Sequence, residues 1–450
     1  MKHRGGALSR VLLLMPAICV VLVGVITADL RAQSGDAFLS QQLQAVLDSV
    51  RAAQGIHGIS ASVLMNGRAM WQGCSGESHD GRAITSDMQF GIGSNSKLFT
   101  AAVVLKLQER GLLDVDDSLH TWLPRYRNID TTITLRQLLN HTSGLADVNN
   151  VPGYPDTILA NPDRVFTREE VLRWVGPPHF AAGTSWEYSN TNYILAGMIA
   201  EKVAGRPFHT LLHEYILSPL SLDSTFFPVD DTVAGTIARP WTNGTDISST
   251  PRNSMLSAAW CAGAMYSNSS EMAQWYQALF LRVALTDASL REMTTFVGSG
   301  RYGFGIAEKQ LGQRTIFAHG GSIRGYTSQM FYDTTLRAVI CVLTNDLPAA
   351  APLVAQQLLA ALIRGTATGM CVPASSDPTL VLYPNPARGR VHMHRGSETF
   401  IRAVLIDAAG RIQYHECADG IIDLSAVRPG MYLLRAIGAH GAYTARVIVR

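Results

Sequence analysis

Charged residues are scarce in this 450-residue chain, at 16% against 47% hydrophobic. That balance excludes a disordered or solvating chain and leaves room for a large core plus a second unit. No C-x-x-C pair and no H-E-x-x-H occurs, so neither a structural nor a catalytic zinc site is expected, and nothing points to a cofactor. G-x-S-x-G is also missing, which removes the nucleophile elbow of the α/β-hydrolases. Of six cysteines, Cys19 falls in the N-terminal apolar run. Five are left, so at least one thiol has no disulfide partner within the chain. Cys341, inside Val339-Ile340-Cys341-Val342-Leu343, reads as a small hydrophobe in a buried strand. Long apolar runs are missing too, apart from Val11 to Ala28 behind Lys2, Arg4 and Arg10 and ahead of Leu30-Arg31-Ala32. That arrangement reads as a secretory signal peptide over residues 1–32, and Pro16 and the modest length argue against a retained anchor. Without it the chain has 33 basic and 34 acidic residues, a formal net charge of −1. No nucleic-acid partner is implied.

The most informative stretch is Gly93-Ser94-Asn95-Ser96-Lys97 with the apolar run Leu98 to Leu107 behind it. That run leaves no wide polar face, so it predicts a helix packed on nearly all sides and ended by Gly111. Ser94 and Lys97, three residues apart, share one helix face at the end where N–H groups lack partners. This suits a nucleophile beside a base. It equally suits a capping serine and a lysine reaching for solvent, and the stretch alone leaves both open.

Around it, Phe38 to Gln54 has helical periodicity, and Ile59 to Gly73 reads as two strands turning at Asn66-Gly67. A helix ends at Asn140-His141-Thr142-Ser143-Gly144-Leu145, and the Pro-bearing segment 149–163 reads as a long surface loop. Tyr193 to Val203 predicts a second buried helix stopped by Gly205, and Ser269-Ser270 could cap a third. Tyr302 to Ile306, Thr315 to His319, Ser328 to Tyr332 and Arg337 to Thr344 read as strands, and Ala349 to Ile363 as a closing helix. The expected fold class is α/β of the α+β kind: an antiparallel sheet flanked by helices with a helical lobe, followed by a small all-β sandwich. The expected division is a signal peptide 1–32, a main domain 36–364, a Gly/Ala/Ser/Pro-rich linker 365–378 and a β-sandwich 379–450.

A serine–lysine nucleophile needs a further proton-transfer group and an oxyanion site. Y-x-N occurs four times, at Tyr126, Tyr188, Tyr266 and Tyr383. Tyr188 and Asn190 stand out because they sit on a short polar bridge between two helical runs; the others fit turns or caps. Of three His-x-Gly occurrences, His319-Gly320-Gly321 follows a strand, where the glycines would let a substrate lie against the backbone. His141, at a helix end, reads as a structural hydrogen-bonder.

Taken together and in order, Ser94-x-x-Lys97, Asn140 to Leu145, Tyr188-x-Asn190 and His319-x-Gly321 resemble the serine hydrolases related to class C β-lactamases, a family that includes D-alanyl-D-alanine carboxypeptidases, D-aminopeptidases and esterases. The resemblance spans roughly residues 38 to 364. It implies that Ser94 forms an acyl-enzyme, that Lys97 and Tyr188 share the base role, that Asn190 positions substrate and lysine, and that the N–H groups of Ser94 and Ser322 form the oxyanion hole beside His319 and Gly321. His319 stands where the β-lactamases carry lysine. As a weaker, pH-dependent cation it shifts the expected substrate from antibiotics to an ester or a D-amino-acid amide or peptide. Arg324 could replace the missing charge, though solvation reads better for it. Cys261-Ala262-Gly263-Ala264 departs from the family's usual paired glycines. A true β-lactamase, or a non-catalytic module binding peptidoglycan or a partner, are the alternatives. In the tail, Tyr383-Pro384-Asn385-Pro386-Ala387, Asp407 to Arg411, Ile422 to Ser425 and Gly430 to Leu434 resemble the sorting domains of the type IX secretion system. That resemblance implies the secretion machinery as a partner, and a cell-surface or extracellular location. The oligomeric state is left open.

Overall fold

The computed structural model describes residues 37–450 apart from 66–69, 368–379, 384, 386, 396–399, 408–410, 418–419 and 439–440. The signal-peptide reading, the Asn66-Gly67 turn, most of the linker and part of the Asp407 to Arg411 stretch lie outside the described residues. A seven-stranded sheet organises the main domain, in the order β3-β2-β1-β7-β6-β5-β4. Its strands are β1 (Gly58–Met65), β2 (Trp71–His79), β3 (Arg82–Ala83), β4 (Ala307–Leu311), β5 (Arg314–Ile323), β6 (Tyr326–Asp333) and β7 (Ala338–Thr344). Every pairing in it is antiparallel. β1 and β7 are central and wholly buried, as strands covered by helices on both faces must be.

Two layers of helix cover this sheet. On one face lie α1 (residues 37–54) and α7 (Ala351–Ala367), whose Leu43, Leu47, Leu358 and Leu362 pack on Ile59, Val63, Ile340 and Val342. The other face carries α6 (Ser269–Phe280), and beyond it a helical lobe around α2 (Ser96–Glu109) and α4 (Asn190–Ala204). Leu98, Phe99, Val103, Val104, Leu105 and Leu107 of α2 are fully shielded, each worth about 1.5–3 kcal/mol relative to exposure. Gly205 adopts φ +64° and ends α4 as expected. In the C-terminal part, a three-stranded and a four-stranded antiparallel sheet enclose a separate core of Val391, Leu405, Leu434 and Val447. This is the all-β unit the alternating segments foretold.

Three expectations need correction. Segment 149–163 is not a loop throughout: it holds α3 (Tyr154–Ala160), started by Gly153 at φ +83° with Pro155 in the first turn. Tyr302 to Ile306 is not a strand; Tyr302 makes single bridges to Val297 and Ala307, and the strand begins at Ala307. The cap of α6 is Asn268, whose side chain accepts from Glu271 N–H, and not Ser269 or Ser270.

Candidate active site

Ser94 lies in a 3-10 turn, Gly93–Asn95, that leads directly into α2, so it precedes the α-helix instead of opening it. The turn is wedged against β5. A Cβ on Gly93, at φ +52°, would stand 2.6 Å from Ser322 N, and one on Gly321 would stand 2.0 Å from Ile92 O. Both glycines are therefore required for the strand and the turn to touch. Ser328 Oγ fastens the contact: it donates to Ile92 O at 2.8 Å and accepts from Asn95 Nδ2 at 2.8 Å. β4 pairs with β5 only as far as Ala318, which leaves His319 to Ile323 as an open strand edge beside Ser94.

Lys97 is 0% exposed. Its Nζ lies 2.7 Å from Asn190 Oδ1, 2.7 Å from Ala262 O and 3.1 Å from Ser94 Oγ. Burial pushes its amine down to about 7, with Asp147 partly opposing the shift. The partners fit a neutral amine. Asn190 Nδ2 donates to Asp147 Oδ2 at 2.8 Å, so its Oδ1 faces the lysine and can only accept, as can the Ala262 carbonyl. Two N–H bonds thus have fixed acceptors; the third contact is a donation to Ser94 Oγ from the charged amine, and it reverses in the neutral amine, whose lone pair can accept from the Ser94 hydroxyl.

Tyr188 neighbours both groups: its ring centroid is 4.8 Å from Lys97 Nζ, and its hydroxyl interacts with Ser94, which partly offsets the effect of burial. Burial, helped by Asp147, raises its hydroxyl well above the ordinary phenol range, so the phenol keeps its proton. A buried aromatic cluster holds it in place: the His141 ring is centred 4.4 Å from Tyr188 and 4.6 Å from Tyr302. His141, at φ +65°, accepts at Nδ1 from Ser189 N–H and Asn192 Nδ2. It is the structural hydrogen-bonder expected, joining the Asn140–Leu145 turn to the start of α4.

His319 requires a correction of charge. Its Nδ1 donates to Gly320 O at 2.6 Å, and Tyr302 donates its hydroxyl to Nε2 at 2.7 Å. Burial and the neighbouring Lys97 push it down to about 3, so it is a neutral ring and not a weak cation. Arg324 lines a cleft of about 330 Å³ together with Ser94 and Ser322, and His319 is not among the residues of that cleft. α3 supplies Tyr154, Ile158 and Leu159 to that wall, and Met255 comes from a further helix, α5 (Asn253–Ala259). Asp147 and Tyr302 were missed in the sequence, because a single Asp and a single Tyr carry no spacing that marks them. Among the described residues, no cluster of His, Cys, Asp and Glu could hold a metal ion.

Lys97 on the Ser94 hydroxyl, Asn190 on Lys97 and Tyr188 beside them, at an open strand edge, are the kinds of group that an acyl transfer would use. Residues 43–364 match the family model described as Beta-lactamase. The chain belongs to the β-lactamase family. This is a family of serine hydrolases, and relatives of this β-lactamase-family chain carry several activities. Penicillin-binding protein 4* of Bacillus subtilis is 31% identical over 150 residues, 32% of each chain, so the match spans about a third of that relative. Esterase EstB of Burkholderia gladioli is 25% identical over 360 residues, covering 69% of this chain and 91% of the esterase. Among solved structures, a D-stereospecific amidohydrolase from Streptomyces sp. superimposes with a TM-score of 0.63 at 31% identity, covering 71% of this chain and 97% of that one. Residues 381–450 match the Secretion system C-terminal sorting domain, so the tail is a type IX sorting domain.

Proposed function

We propose that this protein is an exported serine hydrolase that cleaves an ester or a D-amino-acid amide or peptide through an acyl-enzyme on Ser94. The observation that carries the reading is Ser94 Oγ at 3.1 Å from the depressed amine of Lys97, with the protonated phenol of Tyr188 beside them. Lys97 takes the serine proton as Oγ bonds to the carbonyl carbon. Tyr188, as a phenol, passes a proton to the departing oxygen or nitrogen as the bond to the carbonyl breaks, and is reprotonated from Lys97. Water then repeats the sequence on the acyl-enzyme, restoring Ser94. A positioned acid or base of this kind contributes about a hundred- to ten-thousandfold in rate.

The oxyanion site in this reading is Ser94 N–H, at a helix start, and Ser322 N–H. The ladder supports the second assignment. With Ile323 and Tyr326 closing the β5–β6 hairpin, alternate pairs exchange hydrogen bonds, and Ser322 opposite Thr327 turns its N–H away from β6 toward the Gly93 backbone. EstB and the Streptomyces amidohydrolase support ester and D-amide substrates respectively. A neutral His319 weakens the case for β-lactams, whose carboxylate it cannot pair. In this reading the catalytic domain starts at 36 and, because α7 continues to Ala367, ends there and not at 364, followed by a linker to 378 and the sorting tail 379–450, which takes the chain to the cell surface or beyond. A panel of p-nitrophenyl esters, D-Ala-D-Ala peptides and nitrocefin, run on the wild type and Ser94→Ala, tests the proposal. Ester or D-peptide turnover lost in the variant supports it; equal turnover by both proteins defeats it.

A further inference from the structure

A second cleft of about 450 Å³, distinct from the Ser94 cleft, is lined by Tyr188 and His319. It runs from these two side chains over the outer end of the sheet to α7, and its walls are mainly apolar: Trp186, Leu311, Ile316, Phe331 and Pro352. One cation enters it. Ala307, Lys309 and Leu311 alternate onto one face of β4, and Lys309 stands opposite Ile316 in the ladder. Lys309 is exposed, and none of the ion pairs among the described residues includes it. Its neighbours differ: Arg301 pairs with Glu308 and Arg314 with Asp333, so those charges are already used. The position beside β5 where a charged group could meet a substrate is vacated by the neutral His319, and Arg324 lines the Ser94 cleft.

Ser94 lines the first cleft but not the second, and the second reaches the reacting centre through Tyr188, whose ring lies 4.8 Å from Lys97 Nζ. Tyr188, the group assigned to protonate the departing atom, lines the second. We infer that the Lys309 cleft receives the leaving group and that Lys309 pairs with a carboxylate on it, making the substrates esters or D-peptides whose departing alcohol or amine is partly apolar and anionic. This rests on the acyl-enzyme reading of Ser94.

Two phenylacetate esters test it, one of 3-hydroxybenzoate and one of its neutral isostere 3-hydroxybenzamide, with the full chain as enzyme. The wild type favours the carboxylate ester in kcat/KM by about two- to fivefold, the range of a solvent-facing ion pair, with the effect in KM and diminishing in high salt. In Lys309→Gln that ratio falls to about one, while Arg324→Gln retains it. A wild type with no preference, a preference that survives Lys309→Gln, or one lost in Arg324→Gln instead overturns the assignment. If the wild type turns over the neutral ester and Ser94→Ala does not, such a failure concerns Lys309 alone. If neither ester is turned over, or Ser94→Ala matches the wild type, the hydrolase reading falls and the Lys309 assignment with it.

Discussion

Gly321→Ala is the sharpest perturbation available, because it moves the site without touching a side chain that takes part in chemistry. The added Cβ would lie 2.0 Å from Ile92 O and 2.5 Å from Ser328 Oγ. Ser328 can rotate, but the Ile92 carbonyl is backbone and is held by the same turn that presents Ser94. Restoring ordinary contact therefore separates β5 from the Ser94 turn by roughly 1 Å or more, and a misplacement of that size costs on the order of a hundredfold in rate. Loss of one oxyanion donor alone is worth about 2.7–4 kcal/mol, which gives the same scale. Overpacking should lower stability by about 1–3 kcal/mol, leaving the fold intact. Ester kcat/KM and urea unfolding, measured together, check both numbers. Ser328→Ala, which only removes the bonds to Ile92 and Asn95, should cost far less activity. Gly321→Ala within about threefold of the wild type, with normal folding, would refute the contact of strand and turn as the source of the oxyanion geometry.

Other expectations follow from the charge states. With Lys97 near 7 as the base, kcat/KM should rise through about pH 7 and lose tenfold per pH unit below it; a profile flat between pH 5 and 9 contradicts that role. A lysine whose folded value is below its ordinary 10.5 sheds its proton in the native state first, so the unfolded chain binds more protons between about pH 7 and 10.5. Stability should therefore rise with pH across that window in the wild type, and a Lys97→Met variant should lack this component of the slope in pH-dependent unfolding. Tyr188→Phe should cost about a hundred- to ten-thousandfold in turnover with little change in KM, measured on an aryl amide, whose leaving group needs a proton. Tyr302→Phe leaves the buried His319 Nε2 without its donor and should lower stability by about 1–3 kcal/mol by denaturant titration.

Much of this arrangement was readable from spacing. The buried helix behind Ser94 was visible because eight apolar residues between Leu98 and Leu107 leave no polar stripe. Glycine brought the site's other wall into view, although His319-Gly320-Gly321 does not follow the strand as expected but lies within β5, where the glycines allow close approach. Asp147, Tyr302 and Lys309 were not legible. Their positions depend on how a turn, a bridge and an edge strand fold back on the site, and no local period records that. The charge of His319 was misjudged for the same reason: its type suggested a titratable cation, but its state follows from burial, Lys97 and a tyrosine 17 residues away. Segment 149–163 looked like loop by composition, yet Gly153 and Pro155 are start signals for α3, and tertiary contact supplies the rest.

The most direct measurement is intact-mass and peptide mapping after treatment with a fluorophosphonate. The account predicts one adduct per chain, carried by Ser94, suppressed below pH 7 as Lys97 protonates and missing in Ser94→Ala. An adduct on another serine such as Ser143, or no adduct in a protein that still hydrolyses esters when Ser94 is alanine, would contradict it.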